Sequence, residues 1–333
     1  MPQREPVGRR RFLRQLVGAT TGAVATLMPI SRVSAAAAAN PPANRPNVVV
    51  IVLDDVGFAD LGAFGSEIRT PNIDALAVAG IRYNRFDSRA ICSATRASLL
   101  TGRNNQTVRM EDLASKLREP DSDDKSASKG EMPTNAETLA QALRHVGYGT
   151  DAIGKWHLAP DYDEAPGQNR RSWPLQRGFD YFYGFLKGWT DQYKPLLIEN
   201  NARLPAPTAQ SYHFSIDITD RAIERWRAGR AARPTAPRFL YLAYGAAHSP
   251  IQVPRSYIDA YRGIYDRGGM PCARSGSRGR NGWGLSRPPP FCRHAMPATW
   301  HGARLIPSII ACLPGSWKPT PGSSRMPTSR SVV

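Results

Sequence analysis

Acidic, basic and imidazole side chains follow three short apolar runs of this chain, each within a few residues of the end of its run. Because the carboxyl ends of parallel strands meet at one edge of a sheet, these groups would lie together there. Two adjacent carboxylates repel each other unless a cation or a shared proton compensates, and at a strand end Ca²⁺ or Mg²⁺ fits that need. The groups concerned are Asp54, Asp55, Lys155, His157 and His248.

A cysteine and an arginine four positions apart form a second chemical pattern. Cys92 opens the stretch CSATRASLLTGR, and Arg96 lies on the same face as Cys92 if that stretch is helical. A helix N-terminus also favours an anion nearby. A nucleophile, a fixed cation and an anion site would therefore converge. The alternative is a buried cysteine acting as a small apolar side chain in an Ala/Leu helix.

The elements that would position these groups alternate between apolar, β-branched runs and amphipathic stretches. The run NVVVIVL directly precedes the acidic pair and is typical of a strand buried on both faces. Alternation of this kind predicts an α/β fold with a mostly parallel sheet covered on both faces. The predicted strands are 47–53, 81–86, 148–153 and 239–244; the predicted helices are 72–79, 134–146 (with a Thr134/Glu137 capping box) and 217–230.

Several segments together resemble the formylglycine-dependent sulfatases, in particular bacterial arylsulfatases. The segment from Cys92 to Arg103 resembles the family signature, with Ala94 where most members have proline. The resemblance covers Pro46 to Asp266. Its other blocks are 46–60, 69–74, Gly-Lys-Trp-His at 154–157, 178–185 and Ala-His-Ser-Pro at 247–250, and the stretches 189–200 and 257–266 look most like bacterial arylsulfatases.

The resemblance implies an α/β/α sandwich of the alkaline-phosphatase-like kind and hydrolysis of a small-molecule sulfate ester. In the family the cysteine is oxidised to formylglycine by a formylglycine-generating or sulfatase-maturing enzyme, and the aldehyde hydrate attacks sulfur. Carried over, this makes Cys92 the modified residue. Asp54 and Asp55, with the modified Cys92, would bind Ca²⁺, or Mg²⁺ as an alternative.

The resemblance also assigns roles to four further side chains. Arg96 would hold the formylglycine hydrate, and Lys155 would contact the sulfate. His157 would hold or deprotonate the nucleophile. His248 would contact the sulfate and protonate the leaving oxygen as a general acid. Two rival functions stay open: a phosphonate or phosphate ester hydrolase of the same fold, and an exported metal-binding remnant without turnover.

The C-terminal segment 267–333 differs from the rest of the chain. It carries no Asp or Glu, and 19 of its 67 residues are Gly or Pro. The Asp-Asn-Gly metal-binding block that the family places after the His248 block is not found. We interpret residues 40–266 as the N-terminal part of a sulfatase catalytic domain and 267–333 as a frameshifted tail. The alternative is a genuine basic, disordered tail. The chain as written is expected to be inactive and prone to aggregate.

The N-terminal segment 1–36 is typical of a twin-arginine signal peptide. Arg9-Arg10-Arg11-Phe12-Leu13 precedes an uncharged stretch and small residues up to Ala35. This predicts the twin-arginine export machinery as a partner and a periplasmic or secreted protein. A basic tail before a surface helix is the alternative.

Charge and cysteine usage exclude two other classes of protein. Segments 1–39 and 267–333 hold most of the net charge of +17, and residues 40–266 are near balance. A nucleic-acid partner is therefore not expected, because that reading needs basic residues on a folded face. Three of the four cysteines lie in 267–333, so no native disulfide framework is expected.

Overall fold

The computed structural model of this protein describes residues 45–114, 130–161 and 170–266. The predicted signal peptide and the C-terminal tail lie outside these residues, as do Cys272, Cys292 and Cys312. Cys92 is a free thiol. No helix in the described ranges is long and apolar enough to cross a membrane.

Within these described ranges, six strands form one sheet in the order β1-β6-β2-β3-β4-β5. The first four strands in that order are mutually parallel, and the last two form a short antiparallel hairpin beside β3. The predicted mostly parallel sheet is therefore confirmed. The strands are β1 (Val48–Val52), β2 (Gly149–Lys155), β3 (Tyr181–Phe185), β4 (Ile198–Glu199), β5 (Ala202–Arg203) and β6 (Arg238–Ala243).

Helices cover both faces of this sheet and give the predicted α/β/α sandwich. On one face the core joins α2 and α3 to β-strand residues such as Phe239 and Tyr241. On the other face α4 packs against β2, β3 and β6 through Phe214 and Ile218. The helices are α1 (Pro71–Ala79), α2 (Cys92–Thr101), α3 (Leu139–His145), α4 (Phe214–Ala232) and α5 (Arg255–Asp259).

Two local predictions were wrong. The helix expected from residue 134 begins at Leu139, because the capping box is made by Thr138 and Gln141 rather than by Thr134 and Glu137. Residues 81–86, predicted as a strand, form no strand and expose Phe86 to solvent. A β-prone run becomes a strand only where a neighbouring strand accepts its hydrogen bonds, and this segment has none.

Candidate active site

The predicted chemical groups meet at one edge of the sheet. Asp54 follows β1, Lys155 ends β2, and His248 follows β6, which lies between those two strands. The loops after β1 and β6 are joined directly, because Ala247 N–H donates to the Asp54 carbonyl at 2.8 Å. The carboxyl ends of three adjacent parallel strands thus form the floor of the site.

Cys92 is the first residue of α2, and its side chain lies against His157. The distance from Cys92 Sγ to His157 Nδ1 is 3.1 Å. The next residue, Ser93, fixes this arrangement: its hydroxyl donates to the His157 carbonyl at 2.9 Å and accepts from Ala114 N–H at 3.0 Å. The start of α2 is therefore held against the segment that carries His157.

A buried ion cluster lies beneath this pair. Asp54 pairs with Lys155 Nζ at 2.5 Å through one oxygen and with Arg96 Nη2 at 3.3 Å through the other. Arg96 also donates to the Lys155 carbonyl and to the Tyr241 hydroxyl, each at 3.1 Å. The Lys155 side chain has 0% exposure, so both cations face Asp54 rather than solvent. Two buried cations share one carboxylate, and the cluster keeps an excess positive charge.

Burial and the nearby cations control the protonation of the site. Burial, followed by the charges of Lys155 and Arg96, lowers the pKa of His157 to about 2. His157 is therefore neutral at physiological pH and can accept a proton. Burial also lowers the pKa of Lys155, although the Asp54 charge opposes the shift.

Asp55 and His248 form the solvent-facing part of the site. Asp55 Oδ2 lies 3.9 Å from His248 Nε2, while His248 Nδ1 lies 2.6 Å from the Ser249 carbonyl. Asp55 and His157 both adopt left-handed backbone conformations, with φ of 57° and 53°. Such conformations cost about 1–3 kcal/mol and cluster at functional sites.

The Asp54 and Asp55 carboxylates are ligands of the type that a hard divalent cation prefers, but there are too few of them to complete its coordination shell. Asp55 is 62% exposed, whereas both oxygens of Asp54 already face cations. Within the described residues no group of three or more His, Cys, Asp or Glu side chains is placed to hold a metal. Ca²⁺ takes six to eight oxygen ligands, so these two acids supply only part of a shell.

Three contributors to the site carry no signal in the sequence. Tyr241 is one apolar-looking position of a buried strand, and Ser93 looks like any small helical residue. Gly188 follows β3, and a Cβ placed there would lie 2.7 Å from His157 Cε1. Each is identified only by what it touches, so sequence reasoning could not select it.

Comparisons with known proteins identify the family. The family model described as Sulfatase matches residues 46–277 of this chain. The chain belongs to the sulfatase family. It is 33% identical to mouse arylsulfatase J over 234 residues, covering 66% of this chain and 36% of that protein. It is 29% identical to the arylsulfatase of Klebsiella aerogenes, covering 67% of this chain and 47% of that one.

Solved structures agree on the fold. Ps i-CgsB matches with a TM-score of 0.55 and 27% identity, covering 73% of this chain and 53% of that one. The putative sulfatase yidJ from Bacteroides fragilis matches with a TM-score of 0.58 and 20% identity, covering 80% and 57%. The chain therefore spans roughly a third to just over half of the length of these relatives.

Proposed function

We propose that this chain serves the hydrolysis of sulfate esters of the arylsulfatase type, with Cys92 as the residue converted to formylglycine. The observation that carries the proposal is the 3.1 Å contact between Cys92 Sγ and His157 Nδ1 at the start of α2. The family match and the two arylsulfatase relatives support it. Formylglycine would supply a hydrated aldehyde as nucleophile, which a thiol cannot provide.

The protein's own residues supply base, acid and charge. His157 is held in its neutral form by burial, so its Nδ1 can accept a proton from a hydroxyl at position 92. His248 is partly exposed, and its Nε2 lies 3.9 Å from Asp55 Oδ2. In this proposal His248 donates a proton from Nε2 to the leaving alkoxide or phenoxide, while its Nδ1 is held at 2.6 Å from the Ser249 carbonyl.

Arg96 and Lys155 would stabilise negative charge from beneath. Their two positive charges face a single carboxylate at Asp54. The remaining positive charge favours an anionic sulfate above them, because electrostatic interactions in a buried site are weakly screened. Arg96 has its pKa raised: burial opposes its charge, but Tyr241 and Asp54 outweigh burial.

A bound divalent cation is part of the proposal, with Asp54 and Asp55 among its ligands and Cys92 adjacent. Such a cation would neutralise sulfate oxygens and orient the ester. The exposed Asp55 carboxylate is open to the cation. Asp54 could bind the cation only by giving up its ion pair with Lys155. Ca²⁺ and Mg²⁺ are both compatible with carboxylate ligands.

The two rival functions have less support. A phosphonate or phosphate ester hydrolase could use the same site, but the relatives reported above are arylsulfatases. An exported remnant without turnover differs from the sulfatase by the state of Cys92, which stays a thiol in the remnant.

The test co-expresses the full chain with a formylglycine-generating enzyme. Mass spectrometry of the Cys92 peptide should show the aldehyde. Cleavage of 4-nitrophenyl sulfate in preference to 4-nitrophenyl phosphate would support the sulfatase, and it would overturn the expectation that the chain as written is inactive. The variant Cys92→Ala should lose on the order of 10³-fold or more in kcat/KM. Ser98→Ala is the matched control, because Ser98 lies in the same helix and its buried hydroxyl has no partner among the described residues.

Each result bears on a different part of the proposal. Turnover that survives Cys92→Ala removes Cys92 as the nucleophile. An unmodified thiol with no turnover supports the remnant, and it is also the result that the sequence-based expectation of an inactive chain foresees. Preferential cleavage of the phosphate ester would favour the phosphatase.

Export forms a separate part of the proposal. The Arg9-Arg10-Arg11-Phe12-Leu13 pattern supports twin-arginine export and a periplasmic or secreted location. Fractionating cells that express the chain and its Arg9→Lys/Arg10→Lys variant tests this. Retention of only the variant in the cytoplasm supports export, and equal distribution of both contradicts it.

A further inference from the structure

A hydrogen-bonded loop after β3 projects beside the candidate active site. Asp191 Oδ1 accepts from Tyr193 N–H and Lys194 N–H, each at 2.8 Å, which closes a tight turn. Gln252 ties the same turn to the loop that carries His248, donating to Asp191 Oδ2 at 2.8 Å and accepting from Gln192 N–H at 2.7 Å. The loop is thus a defined structure anchored to the site.

This loop holds two large apolar side chains out in solvent. Trp189 is 61% exposed and Leu196 is 60% exposed. The residues beside them are buried: Thr190 accepts a hydrogen bond from Leu196 N–H at 3.2 Å, and Leu197 packs into the core. Trp189 and Leu196 both line one shallow cleft with Lys187, Arg203 and part of β3 and β4. An ordered loop that exposes an indole has the form of a binding surface.

The cleft adjoins His157. His157 N–H donates to the Leu186 carbonyl at 2.9 Å, so the loop leaves the sheet at the level of the site. Gly188 lies directly against the imidazole, with a Cβ position 2.7 Å from His157 Cε1. Trp189 is the next residue, and successive Cα atoms lie about 3.8 Å apart. The cleft, which Leu186 and Trp189 both line, therefore begins within one or two residues of the contacts with His157.

The cleft also carries positive charge. Lys187 is exposed, and its ammonium group has no hydrogen bond or ion pair among the described residues. Arg203 is the second cation of the lining. Among the residues that the structure describes, no acidic side chain lines the cleft. A ligand without an acidic group would leave the Lys187 charge unmatched, and an acidic group would gain that interaction.

We propose that this cleft is the subsite for the organic part of the ester, and that it takes a flat ring bearing a second acidic group. The ring lies against Trp189 and Leu196, and the acidic group lies at Lys187. The inference rests on the proposed sulfatase function, since it assumes that the ester sulfate occupies the site beside His157. A shallow cleft suits stacking on one face of a ring rather than its enclosure.

Binding of non-hydrolysable probes to the full chain tests the subsite without turnover. Naphthalene-2,6-disulfonate and naphthalene-2-sulfonate are titrated by calorimetry. The disulfonate should bind several-fold more tightly than the monosulfonate. Trp189→Ala should weaken both probes about tenfold. Lys187→Gln should remove the preference for the disulfonate while leaving monosulfonate binding unchanged.

Two controls and a second apolar variant complete the design. Lys194→Gln removes a charge from the same loop outside the cleft, and Val78→Ala trims an exposed apolar side chain on α1. Both should bind as the wild type does. Leu196→Asn should weaken the binding of both probes, as Trp189→Ala does, because it removes part of the apolar contact with the ring. Because Trp189 and Leu196 are largely exposed, thermal unfolding of these variants should match the wild type.

The outcomes separate the subsite from the proposed function. If Trp189→Ala and Lys187→Gln bind both probes like wild type, the subsite is overturned, even where aryl sulfates are cleaved. If the binding pattern appears but no sulfate ester is cleaved after maturation of Cys92, the subsite stands and the proposed function fails. Equal affinity of the wild type for both probes overturns the assignment of Lys187.

Discussion

Lys155 Nζ lies 2.5 Å from Asp54 Oδ2, and neither side chain is appreciably exposed. Arg96 Nη2 lies 3.3 Å from Oδ1, the other oxygen of the Asp54 carboxylate. One carboxylate therefore compensates two buried cations. Removing one member of a buried ion pair leaves an uncompensated charge, which costs far more than the pair contributes.

Asp54→Asn should therefore lower the free energy of unfolding by about 3–5 kcal/mol. The matched control is Asp55→Asn, because Asp55 is adjacent, exposed and in a left-handed conformation that Asn tolerates. The control should change stability by no more than about 0.5 kcal/mol. Urea unfolding at neutral pH measures both, and equal losses in the two variants would contradict the ion cluster.

Gly188→Ala should reduce turnover more than stability. A Cβ at this position would lie 2.7 Å from His157 Cε1, so the imidazole has to shift from its present position beside Cys92. A displacement of about 1 Å of a reacting group can cost about 10²-fold in rate. The control is Gly57→Ala, whose Cβ meets only Asp60 Oδ2 at 3.5 Å. If the Gly188→Ala variant, with Cys92 matured, kept the wild-type kcat, the position of His157 would not matter for the mechanism.

Stability should fall in acid through His213, the N-cap of α4. His213 Nδ1 accepts from Ser215 N–H at 3.3 Å, and Nε2 lies 3.2 Å from the Gln252 carbonyl. Only the neutral imidazole accepts at Nδ1, and burial lowers the pKa of His213 despite the opposing Gln252 contact. The unfolded chain therefore binds this proton first, and stability present above pH 6.5 is lost as the pH falls.

The non-titrating cap His213→Asn should remove the His213 contribution to that pH dependence, whereas the contribution of His157, whose pKa is also lowered, should stay. The wild type should lose up to about 1.4 kcal/mol per pH unit from this group below pH 6.5, and the variant should not. Urea unfolding at a series of pH values from 7 to 5 measures the difference. His145→Asn is the control, since His145 is exposed at the end of α3. Parallel curves for wild type and His213→Asn would show that the group does not contribute.

The edge strand β1 should promote self-association. Val49 and Ile51 are 40% and 45% exposed, and no strand pairs with the outer edge of β1 in the described sheet. An exposed apolar edge strand is a template for pairing with another chain. Val49→Lys/Ile51→Lys should reduce aggregation measured by light scattering, whereas Val78→Lys on α1 should not. Unchanged scattering in the double variant would exclude β1 as the contact.

Sequence reasoning predicted the strand ends correctly because a buried parallel strand leaves a continuous apolar run. The run before Asp54 and the run before Gly245 became β1 and β6, and the parallel order then required their carboxyl ends to meet. The helix that was assumed after Cys92 is present as α2. Residues 81–86 failed because strand formation depends on a partner that lies elsewhere in the chain.

The sequence by itself determined the family, the layered sheet and the set of groups at its edge, since these depend on local pattern and spacing. Only the tertiary structure decided that Lys155 faces Asp54, that Ser93 holds the His157 segment, and that Trp189 stands exposed beside the site. The reason is physical: an ion pair, a clamp or a cleft is made by side chains far apart in the chain, and no local pattern records which of them meet.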